Sequence, residues 1–179
     1  SLVPSISADG RYVVFHSHST NLVSGDTNSN PDVFIHDRQT STTSRLSVAS
    51  AGTQGNGLSQ APSISADGRY VAFQSFANNL VSSDTNNNAD IFVHDRQSST
   101  TTLVSVASDG TQGNSFSISP SISADGRYVT FGSNASSLVS GDTNGLADIF
   151  IHDRQSSSTT LVSVASEGTQ GNGPSQASS

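Results

Sequence analysis

The ten-residue phrase Pro-Ser-Ile-Ser-Ala-Asp-Gly-Arg-Tyr-Val occurs three times, beginning at Pro4, Pro62 and Pro120, each 58 residues after the last. No insertion falls between the copies, so the chain is a tandem array of units 1–58, 59–116 and 117–174. Residues 175–179 begin a fourth unit, with Ser178 standing where the three prolines stand. A unit of this size buries little core by itself, and tandem units of this kind gain stability by packing against their neighbours.

Within one unit the local signals are those of strands. Ser5-Ile6-Ser7, then Ala8-Asp9-Gly10, then Arg11–Ser17 read as strand, turn and strand. The middle of Arg11–Ser17 is apolar at successive positions, which suits a strand covered on both faces. A polar loop follows, interrupted by Leu22-Val23. Asp32–Asp37 is predicted as the third strand, Arg38–Thr42 as a polar connection, Arg45–Ser50 as the fourth strand, and Ala51–Gly57 as a glycine-rich crossover. Four short strands per unit, with no helical periodicity, predict an all-β chain of three propeller blades. The small residues Ser5 and Ser7 suit a first strand crowded near a central channel, and a β-helix fits a 58-residue hairpin-linked unit less well.

The phrase Ser-Ile-Ser-Ala-Asp-Gly-Arg-Tyr-Val, followed about twenty residues later by Asp-Ile-Phe-Val-His-Asp, resembles the WD40-like β-propeller repeat of the TolB family. The resemblance covers essentially the whole chain and implies a propeller. It implies no single function, because such propellers serve as periplasmic interaction domains, as gates of peptidases and as surface proteins. The unit here is longer than the usual family repeat, with the extra length mainly in the loop after the second strand.

Composition narrows the partners. Only 32% of residues are apolar, so the core must be divided among blades. All seven cations are Arg, and a net charge of −7 without a basic cluster disfavours nucleic acid. No apolar run approaches the roughly 20 residues that span a bilayer. The absence of Cys excludes a disulfide framework, while the Ser, Thr, Asn and Gly richness without Lys points to an extracellular, cell-surface or periplasmic bacterial protein. A first residue other than Met suggests a processed or excised segment.

The loop before the third strand is the candidate site. It contains Asp26, Asn28 and Asp32 in unit 1, Asp84, Asn86 and Asp90 in unit 2, and Asp142, Asn144 and Asp148 in unit 3. Calcium takes about six to eight oxygens from carboxylates, amides and carbonyls, so an Asp-x-Asn-x-x-x-Asp loop suits Ca2+. The loop lacks the glycine and the distal Glu of an EF-hand, and the alternative is a turn held by Asx hydrogen bonds. His36-Asp37-Arg38, recurring as His94-Asp95-Arg96 and His152-Asp153-Arg154, is no acid/base pair, because adjacent strand residues face opposite ways. Its Asp is expected to open the connection to the fourth strand, its Arg to offset that charge, and its His to pack near the blade edge.

His16 and His18 break the repeat, replacing Gln74 and Phe76 or Gly132 and Asn134, and supply only two metal ligands. A surface substitution is the simpler account. Asn134-Ala135-Ser136 is a glycosylation sequon. No nucleophile elbow is visible, and the serines read as blade filler.

Rings close with about four to eight blades, so three copies need further blades of a longer chain or other copies of this one. In a two-chain ring residues 175–179 compete with residues 1–5 of the neighbour, which favours a longer array or a tail that crosses between subunits. The expected function is a non-catalytic, calcium-stabilised scaffold or interaction module. A subunit of a surface filament or multi-chain ring is one alternative, and an accessory propeller of a hydrolase is another. No protein or glycan ligand is legible.

Overall fold

The computed structural model describes residues 4–176 and contains, among them, strands, turns and no helix. Blade 1 holds β1 (Ser5–Ile6), β2 (Tyr12–Ser17), β3 (Asp32–Asp37) and β4 (Thr42–Arg45) in the order β1-β2-β3-β4. Blade 2 repeats it with β5 (Ser59–Ile64), β6 (Tyr70–Ser75), β7 (Asp90–Asp95) and β8 (Thr100–Leu103). Blade 3 repeats it again with β9 (Ser117–Ile122), β10 (Tyr128–Ser133), β11 (Asp148–Asp153) and β12 (Ser158–Leu161). Every pairing within a blade is antiparallel. These are the three four-stranded blades of an all-β partial propeller. First strands of successive blades lie against one another, β1 against β5 and β5 against β9, so the blades converge on that edge.

Two strand boundaries differ from the expectation. The fourth strand is Thr42–Arg45, and the Leu46–Ser50 run predicted for it lies outside the ladder. Leu46 is buried against blade 2, while Ser47 turns its hydroxyl to Asp32, so the alternation there reflects two separate anchors. In blades 2 and 3 the first strand starts upstream of the proline, at Ser59 and Ser117. Register shifts between Gln60 and Ser63 in β5 and beside Gly132 in β10 accommodate it, with Ala61 and Ser119 at positive φ. A bulge of this kind tolerates proline, which has no N–H for the ladder.

The core lies between blades. One face of blade 1 (Val14, Val33, Ile35, Leu46) packs on Ile64, Val71, Phe73, Leu80 and Phe92 of blade 2, and the equivalent layer joins blade 2 to blade 3. Within each blade one aromatic pair stacks, Phe73 on Phe92 at 5.9 Å for example. Burying a side chain of this size stabilises by about 1.5–3 kcal/mol, so these few aromatics carry much of the cohesion of an apolar-poor chain. The turn glycine of the opening phrase belongs to the same interface. Gly68 sits at φ +73°, and a Cβ there would approach the Tyr12 ring of blade 1 to 2.3 Å.

Candidate functional site

The long loop and the glycine-rich crossover meet on each blade. Asp26 precedes the turn and Asp32 opens β3; both carboxylates reach Gln54 of the crossover, whose Nε2 donates to Asp26 Oδ1 and Asp32 Oδ2 at 2.8 Å each. Ser47 donates to the other oxygen of Asp32 at 2.5 Å. Gln54 is fixed in this orientation because its Oε1 accepts from Thr27 N and Thr27 Oγ1. Blade 2 builds the same clasp from Gln112, Asp84, Asp90 and Ser105, and blade 3 from Gln170, Asp142, Asp148 and Ser163. The inner Asp of each pair is fully buried.

The structure thus brings the two predicted carboxylates of each loop together, while the predicted asparagine uses its carboxamide oxygen to hold the turn and, in blade 3, its nitrogen to reach the inner carboxylate. Asn28 Oδ1 accepts from Asn30 N and its Nδ2 donates to Gly55 O, which fixes the turn and ties it to the crossover. Asn86 makes the same two bonds. Asn144 keeps them and adds a bond from Nδ2 to Asp148 Oδ2 at 3.0 Å. Ser29, Asn87 and Gly145 take the left-handed position of this turn, where the third copy has the residue best suited to it.

Gln54 and Ser47 were not singled out in the sequence. Their signal was the repeat itself: both recur at 58-residue intervals inside stretches that otherwise read as crossover and filler. The clasps differ in charge. Arg45 of blade 1 places Nη1 3.6 Å from Asp26 Oδ1 and 3.7 Å from Asp32 Oδ2, whereas Leu103 and Leu161 stand at the equivalent positions. Burial raises Asp32, with Arg45 pulling in the opposite direction. Among the described residues no cation pairs with Asp90; burial, reinforced by the charge of Asp84, raises it to about 6.

The His-Asp-Arg triplets are taken apart by the strand, as expected. His36 Nδ1 pairs with Thr43 Oγ1 at 3.0 Å, and His94 and His152 with Thr101 and Thr159. Burial lowers the pKa of His94 and His152. Asp37 faces the other way and accepts two bonds from Arg11, which holds its carboxyl well below the usual range; Asp95 and Asp153 do the same with Arg69 and Arg127. The expectation that the adjacent Arg offsets this Asp is therefore corrected. Arg38 donates to Gly10 O instead, and its equivalents Arg96 and Arg154 lie over Tyr12 and Tyr70 of the preceding blade at 4.0 and 4.3 Å. His16 sits on β2 opposite Val33, with burial lowering its pKa, and His18 is exposed. No group of three or more His, Cys, Asp or Glu side chains converges among the described residues.

No protein-family model matches the chain, and no curated protein matches it in sequence. Solved structures do match in fold. A putative TolB from Agrobacterium tumefaciens aligns with a TM-score of 0.57 at 17% identity, over 90% of this chain and 48% of that one. The β-propeller domain of the Trilobed protease from Pyrococcus furiosus aligns at 0.53 and 14% identity, over 89% and 40%. The tricorn protease aligns at 0.53 and 15% identity, over 86% and 14%. The chain spans about half or less of each of these proteins. The fold expected from the TolB-like resemblance is thus the fold the chain has: its three blades are similar to part of a TolB-type β-propeller.

Proposed function

We propose that the chain is a non-catalytic scaffold or interaction module of an extracellular, cell-surface or periplasmic bacterial propeller. One observation carries this reading: the recurring His, Asp and Ser able to do acid/base or nucleophilic chemistry are engaged apart from one another, and in the same way in every blade. His binds Thr, Asp of the triplet binds Arg, and the recurring Ser binds the buried Asp of the clasp. A site for catalysis needs unlike groups converging at one place. The Ser, Thr, Asn and Gly richness without Lys supports the location outside the cytoplasm.

Calcium is the cofactor of this reading, held at the acidic loops and most weakly in blade 1, where Arg45 already supplies positive charge. Its support is the pair of carboxylates in blades 2 and 3 that face each other across a neutral carboxamide. Binding requires Gln112 or Gln170 to yield its place, and Asn86 or Asn144 to turn its oxygen inward. Calorimetric titration with calcium, paired with melting in chelator, tests it: uptake together with a raised Tm is expected. No uptake and an unmoved Tm would remove calcium and leave the scaffold. Screening for peptidase and esterase activity tests the scaffold itself, and turnover that survives repurification would overturn it.

A structural subunit of a ring or filament is the second reading, favoured by the exposure of Ile6 on the first blade and Val162 on the third, whose counterparts between blades are buried among the described residues.

A further inference from the structure

One interface joins the blades and is used twice. Its apolar part sets Val14, Val33, Ile35 and Leu46 against the next blade, and 58 residues on, Ala72, Ile91, Val93 and Val104. Its polar part repeats as closely. Ala8 N donates to Ala66 O and Ala66 N to Ala124 O, both at 2.9 Å. Thr101 Oγ1 donates to Val48 O and Thr159 Oγ1 to Val106 O, and an arginine of the following blade covers a tyrosine of the preceding one.

Each half of this interface occurs a third time without its complement among the described residues. Ile6 of blade 1 is 57% exposed, whereas its equivalents Ile64 and Ile122, covered by a preceding blade, are 7% and 8% exposed. Val162 of blade 3 is 48% exposed, whereas Leu46 and Val104, covered by a following blade, are 3% and 2% exposed. Val13 and Phe15 flank Ile6, and Ile149 and Ile151 flank Val162; all four are half-buried where the covered copies are buried or nearly so. Thr130 is the one polar replacement in the second face, at the place of Val14 and Ala72.

We propose that a second copy of this chain docks head to tail, with blade 3 of one copy on blade 1 of the next, through the interface the blades already use. The proposal rests on the scaffold reading and names its partner. Continuity selects the occupant: each open face is the complement of the other. Ala124 N of one copy then donates to Ala8 O of the next, Arg38 of the next copy covers Tyr128, and Thr43 of the next copy donates to Val164 O. Heterologous contacts of this kind close into a ring or run on as a filament, and in both cases every junction uses one face of each type.

The test is the mass in solution of the chain and of Ile6→Asp and Val162→Asp, by light scattering at the highest attainable concentration. Both positions are exposed within one chain, and a wild-type-like β-sheet circular dichroism spectrum with a single cooperative melting transition confirms that the variants fold. The expected wild-type mass is twice 18.4 kDa or more. Each variant alone falls to the single-chain mass, because each removes one face from every junction. Mixing the two restores a two-chain species, since blade 3 of Ile6→Asp and blade 1 of Val162→Asp are both intact. A monomeric wild type, a variant that stays associated, or a mixture that stays monomeric would overturn the proposal and leave the faces to another protein or to further blades. Catalytic turnover would sink the scaffold reading without changing these masses, so the two failures are distinguishable.

Discussion

Blade 1 and blade 2 build the same clasp from the same four side chains, yet one has a positive charge beside it and the other does not. In blade 1 the Asp26–Gln54–Asp32 bridge lies next to Arg45; in blade 2 the Asp84–Gln112–Asp90 bridge lies next to Leu103. The hydrogen-bond geometry is unchanged by this difference. Thus the clasp is a polar device whose shape comes from the glutamine and serine, while its charge is set blade by blade. Where no cation stands beside the pair, two buried carboxylates repel, and that is the place in the molecule where an external cation has something to relieve.

The largest effect that separates the two blades should come from removing the bridge. Gln112→Ala strands Asp84 and Asp90 without their shared donor, and is expected to cost about 3–5 kcal/mol of stability. Gln54→Ala leaves Arg45 in place and should cost roughly 1–3 kcal/mol. Urea unfolding of both variants measures the difference, and equal losses would mean that Arg45 gives the clasp no support.

The next effect is a reversal of ranking. Asp32→Asn removes the partner of Arg45 and is expected to destabilise by about 2–3 kcal/mol, because a buried guanidinium then loses half of its counter-charge. Asp90→Asn removes repulsion from Asp84 and should be neutral or stabilising within about 1 kcal/mol at pH 8. The same urea midpoints decide it, and a greater loss for Asp90→Asn would contradict the comparison.

These distinctions show which parts of the molecule the sequence could reveal. The repeat gave blade number, β2 and β3, because the Arg11–Ser17 and Asp32–Asp37 runs have strand chemistry of their own. The position of β4 was hidden because Leu46, Ser47 and Val48 alternate for reasons of contact with blade 2 and with Asp32, not because they pair with β3. In the candidate site, the loop carboxylates were legible from their spacing. Gln54 was not, since its partners lie 22 and 28 residues away and only folding brings the crossover to the loop. Arg45 was equally silent: one Arg against two Leu gains meaning only beside Asp26 and Asp32.

A smaller effect appears in pH dependence. Asp90 has a folded pKa raised to about 6, above its unfolded value near 3.8, so the folded state binds more protons between them. Stability from this group therefore rises as pH falls through 6, by roughly 1–1.5 kcal/mol between pH 8 and 5. His94 and His152 work against it, since their lowered pKa values cost stability as pH falls below the ordinary histidine range. The difference in stability between wild type and Asp90→Asn cancels the histidine contribution, and should grow in favour of wild type from pH 8 to 5. A difference independent of pH would break the assignment. The depressed Asp37, Asp95 and Asp153 stay ionised over this range, and their contribution is lost only as pH falls below the usual carboxylate values.

The electrostatic contrast between the blades is open to one direct measurement, the carboxyl carbon NMR titration of Asp90 in the intact chain without divalent cations. The account predicts a midpoint near 6, which calcium then lowers. A midpoint at or below about 4, the ordinary value for aspartate, would contradict it. The pair in blade 2 would then hold no uncompensated charge, and the case for a cation there would fall with it.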